Sequence, residues 1–315
     1  MIRKFVFAAI VALQSVAGAG QVRHITVAAD GTGEFTSVQE AVFSIRAYMS
    51  DTTYMHISAG VYREKIVIPS WVTNLFMKGE GTDKTFITWD DYAGLRNMGT
   101  FRTYTIWIQG SGFTAEDITF ENSAGPVGQA VAVHTDGDRA VFRRCRLLGN
   151  QDTLLTANQD SRQYYEECYI EGTTDFIFGP ATAWFERCHI HSKSDSYVTA
   201  ASTVEDCEFG YVFNRCRLTA GDGIEKVYLG RPWRPFAATL FMRCELGSHI
   251  LPEGWHNWDN PSNEKSARYA EYRNTGPGAN PGTRVGWSRQ LSRKEAKWYT
   301  IENVFTRHDG WNPVR

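Results

Sequence analysis

The chain has 315 residues, 42% of them apolar and 13% aromatic, which is enough to bury a large core and unlike the composition of a disordered chain. Its 33 Lys and Arg against 35 Asp and Glu leave a net charge of −2, which excludes a nucleic-acid binder working through a basic face. The same balance gives no steering toward a polyanion, so an acidic polymer would have to be held by local basic and aromatic groups.

The chain opens with "MIRKFVFAAIVALQSVAGAG", in which Arg3 and Lys4 precede an apolar run from Phe5 to Leu13 and small residues follow at Ala17-Gly18-Ala19. That order marks residues 1–19 as a secretory signal peptide, and the expected location is extracellular. The run is too short to cross a bilayer, and no later stretch reaches the roughly 20 apolar residues a spanning helix needs, so no membrane association is expected. Two of the 33 basic residues lie in the leader, so the mature chain carries 31 against 35 acids and is slightly more acidic. Residues 20–315 contain no linker, proline-rich tract or low-complexity segment and read as one domain, expected to be a monomer. A helix is predicted over 38–48.

The middle of the chain repeats one short pattern: "VFRRCRL" with Cys145, "YYEECYI" with Cys168, "WFERCHI" with Cys188, "VFNRCRL" with Cys216 and "LFMRCEL" with Cys244. An earlier "FTAEDITF" keeps the rhythm with Asp117 in the cysteine slot, giving steps of 28, 23, 20, 28 and 28 residues. Periods of this size signal a solenoid in which each repeat covers its neighbour's apolar face. Within a repeat, Phe185, Arg187 and His189 alternate with Trp184, Glu186, Cys188 and Ile190, a strand period. With Gly, Asn, Asp and Ser turns between the strands, the fold class is all-β, a right-handed parallel β-helix. A second helix is predicted over 292–304, opened by a capping box of Ser292 and Glu295. Stacked cysteines are commonly small buried hydrophobes. Export favours oxidation, and consecutive coils bring Cys168 and Cys188 within disulfide reach, so both readings stand for that pair. The absence of any CxxC spacing argues against zinc.

Counting from the cysteines, Asp152 is Cys145+7 and Asp175 is Cys168+7, one phase in neighbouring coils. Rungs of a parallel sheet lie ~4.8 Å apart, and carboxylates stacked at that distance repel, so one pKa is expected to rise while the other stays low. Capping of strand ends is the competing use of such aspartates, and Asp195 at Cys188+7 keeps the phase without any chemistry being assigned to it. Gln151 directly before Asp152, and Gln129 in "GQAVAV" one coil earlier, supply the amide donors an oxyanion needs. Phe178 in "DFIFG" offers an apolar wall. In "YLGRPW", Arg231 offers a two-pronged donor for a carboxylate and Trp233 a face for a sugar ring. His189 and His191 share a strand face; packing or solvation explains the pair better than metal. "EGWHNW" groups Trp255 and Trp258 and fits either the cleft or plain loop packing.

"GNQDTL", "YIEGTTDFIFG", "YLGRPW" and "LPEGWHNW" together resemble the signature segments of the pectin methylesterases, with "GQAVAV" and "AEYRNTGPGA" in the same order. The likeness runs from "VAADGTGEFTSVQEAV" to "VGWSRQLS", nearly the whole mature chain. It implies a right-handed parallel β-helix that hydrolyses the methyl esters of methylated pectin (homogalacturonan), with neither metal nor cofactor. It also implies Asp175 as nucleophile and Asp152 as general acid, then base. Gln151 and Gln129 would stabilise the anionic intermediate, Arg231 would orient Asp175, and Trp233 and Thr100 would touch substrate. The family's usual valine in "GTVDF" is Thr174 here. A pectin-cleaving glycosidase, which also uses two carboxyls, and a non-catalytic pectin-binding β-helix are the alternatives.

Overall fold

The computed structural model describes residues 22–314, so the leader expected at 1–19 lies outside the described residues. Three parallel sheets of eleven, seven and eight strands wrap one solenoid. Each central coil gives one strand to each sheet. Ala140–Arg143, Arg146–Leu148 and Leu154–Thr156 form one coil; Arg162–Glu166, Tyr169–Gly172 and Ile177–Gly179 form the next. The pairing is in register throughout, with Phe142 beside Tyr165 and Tyr165 beside Phe185. The parallel β-helix expected from the cysteine period is therefore observed.

Register turns the sequence motif into physical ladders. The aromatic of each repeat points inward, and Phe142, Tyr165, Phe185, Phe213 and Phe241 stack at successive centroid distances of 5.0, 4.7, 4.4 and 4.3 Å. The cysteines form a second inward ladder three residues on, all buried. Between these two inward positions the chain turns a corner through a residue with positive φ: Arg144 at 48°, Glu167 at 53°, Arg187 at 50°, Arg215 at 57° and Arg243 at 56°. The corner breaks the strand alternation. Phe185, Cys188 and Ile190 are all core, whereas Trp184 and Glu186 share the outer face, where the indole donates to the carboxylate at 2.9 Å. The left-handed corner is unfavourable for a residue bearing Cβ. It is held by backbone bonds to the next coil, as from Arg144 N to the Glu166 carbonyl at 2.9 Å.

The same register corrects the earliest repeat by one residue. Arg146 pairs with Thr119, so Ile118 fills the cysteine slot and Asp117 takes the corner with φ 56°. There Asp117 accepts from Arg144 Nε at 2.9 Å, and an aspartate tolerates the left-handed region better than most residues.

The disulfide reading of Cys168 and Cys188 is overturned, for both thiols are free. The side chains run side by side up the ladder rather than converging, and each thiol donates to a carbonyl of the coil before it. Cys168 Sγ lies 3.4 Å from Phe142 O and Cys188 Sγ 3.4 Å from Tyr165 O.

The predicted helices are real but shorter. The first spans Val38–Phe43, capped by Ser37 and ended at Ser44. The second begins with the expected capping box but covers only Arg293–Ala296, and a separate wide turn follows at Glu302–Thr306. Asn303 within that turn donates its side-chain amide back to Trp298 O at 2.8 Å. This terminal segment lays Ala296, Val304 and Phe305 over the outer apolar strip of the eleven-stranded sheet, which includes Tyr164, Trp184 and Leu240.

With the thiols free, adding a reductant leaves the thermal midpoint unchanged, while Cys168→Ala lowers stability by about 1 kcal/mol through lost packing. A midpoint that drops on reduction would reinstate the disulfide.

Candidate active site

Asp152 and Asp175 stand where their strands enter the seven-stranded sheet, and the pairing of Leu154 with Ile177 puts the two in one row. Both take positive φ, 67° and 49°. Each is anchored through its backbone to the next coil: Asp152 N donates to Thr174 O at 3.1 Å and Asp175 N to Tyr197 O at 2.9 Å. Their side chains are 4% and 5% exposed as residues, a burial that carboxylates tolerate only with partners or protons.

The partner of one is Arg231. Its Nε donates to Asp175 Oδ1 at 3.0 Å and its Nη2 to Oδ2 at 2.7 Å, a two-pronged pair. The guanidinium is itself clamped between the rings of Tyr197 and Trp258, 3.9 and 3.7 Å from their centroids. Gly230 makes this possible, because a Cβ there would come within 2.0 Å of Thr199 Oγ1. Asp152 has no such cation in contact. Burial first, and the charge of Asp175 second, push its carboxyl up to about 8 against the pull of the Gln129 amide and Arg231. The expectation that the other carboxyl stays low is not met in direction. Burial raises Asp175 too, opposed by the hydrogen bonds and charge of Arg231.

Gln129 and Gln151 pair as neighbours on adjacent coils, and Thr100 Oγ1 donates to Gln129 Oε1 at 2.8 Å. These residues, with Phe178, Trp233 and Trp258, line a cleft of about 320 Å³. Trp233 closes one side, 5.9 Å from Phe178 and 6.3 Å from Phe101 by ring centroids. All eight residues expected at the site thus meet in one cleft.

Other sequence features separate. Asp195 is out of the row because its coil has a longer turn. Thr199 pairs with Ile177, so Tyr197 rather than Asp195 stands beside Asp175. Asp195 instead accepts from the backbone of Glu225 and Lys226 at 2.8 Å. Of the two tryptophans in "EGWHNW", Trp255 is core, its ring tilted against Tyr269 at a centroid distance of 4.4 Å, and only Trp258 reaches the cleft. His189 and His191 share Thr219 Oγ1 at 2.6 and 2.8 Å. Among the described residues no group of three or more metal-ligating side chains is found. Tyr197 and Phe101 were not anticipated. Tyr197 could be found only from the pairing register, and Phe101 only by knowing that its loop crosses the cleft.

A parallel β-helix with a buried carboxyl pair, one member held by arginine, and two amides alongside holds the groups that acyl-transfer hydrolysis requires. The pectinesterase family model matches residues 24–309. Pectinesterase 31 of Arabidopsis thaliana is 41% identical over 285 residues, covering 87% of this chain and 89% of its own length. A probable pectinesterase/pectinesterase inhibitor of Brassica napus is 38% identical over 92% of this chain, which spans only 52% of that longer protein. Among solved structures, pectin methylesterase from carrot superposes with a TM-score of 0.85 at 34% identity over 90% of this chain and 92% of its own. PemA from Erwinia chrysanthemi gives 0.80 at 28% identity over 93% and 99%. The chain belongs to the pectinesterase family and is a carboxylic ester hydrolase on a parallel β-helix.

The raised pKa of Asp152 has a signed consequence for stability. Its unfolded value lies near 3.9, so from about pH 4 to about 8 the unfolded chain releases this proton and the folded one keeps it. Stability therefore falls with rising pH across that window and levels above it. Denaturant titrations from pH 4 to 9 should show this decline, and Asp152→Asn should flatten it; an unaltered slope in the variant would remove the assignment.

Proposed function

We propose that this chain hydrolyses the methyl esters of pectin by a two-step acyl transfer in which Asp175 is the nucleophile. The bidentate Arg231–Asp175 pair carries this reading. A guanidinium favours the ionised carboxylate and fixes its plane, so one oxygen lies ready to attack. Asp175 adds to the ester carbonyl carbon, and the carbonyl oxygen becomes an oxyanion facing the amides of Gln151 and Gln129. As that intermediate collapses, the C–O bond to methoxide breaks and Asp152 supplies the proton, releasing methanol. A carboxyl titrating at about 8 is protonated at neutral pH and suits this step. An acyl anhydride on Asp175 remains. Water then attacks its substrate carbonyl, giving a proton to Asp152, and Asp175 leaves as carboxylate. The carboxylic acid so formed loses its proton to solvent, the polymer keeps a free carboxylate, and the enzyme returns to its starting protonation.

The wall of the cleft fits this substrate. Trp233 and Phe178 present apolar faces to a sugar ring, and the guanidinium of Arg231 in the cleft is already committed to Asp175. The substrate is methylated homogalacturonan. The leader-like pattern at 1–19 supports action outside the cell, on wall pectin, and the single solenoid supports a monomer.

Methanol release from methylated pectin, measured for the wild type and for Asp175→Ala, tests the chemistry. Wild type should release methanol and acidify the medium without new reducing ends, and the variant should release none. Gln151→Ala should lower kcat on the order of a hundredfold while the fold is retained, the usual effect of removing one oxyanion donor. Methanol from Asp175→Ala at the wild-type rate would overturn the nucleophile.

A further inference from the structure

A short strap, with a single helical turn at Thr100–Arg102, crosses beside the cleft. Four successive carbonyls of this strap are each taken by a side-chain donor. Thr103 Oγ1 donates to Thr100 O at 2.7 Å, His134 Nδ1 meets Phe101 O at 3.2 Å, Lys65 Nζ donates to Arg102 O at 2.6 Å, and Asn122 Nδ2 donates to Thr103 O at 3.0 Å. Thr103 and Asn122 are buried, and His134 is 5% exposed. Lys65 is further fixed by Asp91 and lies 4.7 Å from the ring centroid of Tyr104. Turn carbonyls at a surface can be satisfied by water at little cost, so donors from the strap itself and from two other coils on consecutive carbonyls amount to a specified geometry.

The strap delivers the Thr100 hydroxyl to Gln129 Oε1 at 2.8 Å. A side-chain amide has an acceptor end and a donor end. A hydroxyl proton bound to the oxygen leaves only the Nε2 end to face Asp152 and the space beside it. Without that proton the amide can turn over and present an acceptor to the developing oxyanion, which is repulsive. The hydroxyl has one proton, and it is spent on Gln129, so Thr100 has no donor left for substrate.

We infer that Thr100 is a positioning residue that sets the orientation of the Gln129 amide, and that Lys65 holds it there through the strap. The inference rests on the oxyanion role proposed above for Gln129. It differs from the direct substrate contact that family resemblance implies for Thr100.

A double-mutant cycle on methanol release separates the two. Thr100→Val should lower kcat on the order of tenfold, part of the cost of losing an oxyanion donor, with KM within about twofold and Thr100→Ser close to wild type. Lys65→Met should lower kcat several-fold, with Lys65→Arg recovering most of it. In a Gln129→Ala background, Thr100→Val and Lys65→Met should each cost less than about twofold, because the group they orient is gone. Thermal melts confirm that each variant is folded. Equal costs in both backgrounds, or a change in KM alone, would overturn the inference while leaving the role of Gln129 intact. An unaltered kcat in Gln129→Ala itself would overturn the oxyanion role and the inference with it.

Discussion

In-register hydrogen bonding between successive coils is the constraint on which the rest of this molecule depends. A single coil buries almost nothing, and its apolar face is covered only by copies of itself above and below. Register makes every phase of the repeat a row. The inward rows become a column of stacked rings and a column of thiols, both dry and close-packed. The outward rows inherit the same spacing whatever residues occupy them, so two aspartates at one phase are forced together as firmly as two phenylalanines.

For carboxyls this enforced proximity has an electrostatic consequence. Both Asp152 and Asp175 are removed from water, and burial raises both, with the charge of Asp175 adding to the rise at Asp152. What distinguishes them is a guanidinium reaching back from a later coil to only one. Arg231 can do so because Gly230 lets the strand pass tight against Thr199, and because Tyr197 and Trp258 sandwich its planar group from both sides. Arginine stacked in this way loses little further freedom on gripping a carboxylate. The difference between the two acids is thus made by an asymmetry laid over a symmetric ladder, as acid and base roles require.

The periodic part of this arrangement was legible in the sequence. Equal counting from Cys145 and Cys168 located Asp152 and Asp175, and "YLGRPW" located Arg231, because in a solenoid sequence phase is spatial position. Where counting erred, local geometry explains it. The corners lie on arginine and glutamate in left-handed conformation rather than on glycine, so nothing in composition marks them, and Asp117 was put in the slot of Ile118. Asp195 kept the numerical phase but lost the spatial one because its turn is longer, and Tyr197 took its place beside Asp175. The bridge left open between Cys168 and Cys188 is absent for a related reason. Adjacency on a ladder makes side chains parallel, whereas a disulfide needs them to converge.

The non-periodic part follows another logic. Thr100 belongs to a segment outside the regular strands, and no phase rule specifies where it lies. Its position is fixed instead by Thr103, His134, Lys65 and Asn122, each taking one carbonyl. These donors are scattered from residue 65 to residue 134, and none forms a recognisable motif with the others. Position by register tolerates the loss of any one hydrogen bond, since neighbouring rungs hold the same spacing. Position by a set of individual donors does not, and a strap of this kind is stiff only while each carbonyl keeps its partner. The cleft therefore joins two kinds of precision: carboxyls placed by the repeat, and an amide whose facing depends on a few unrepeated side chains.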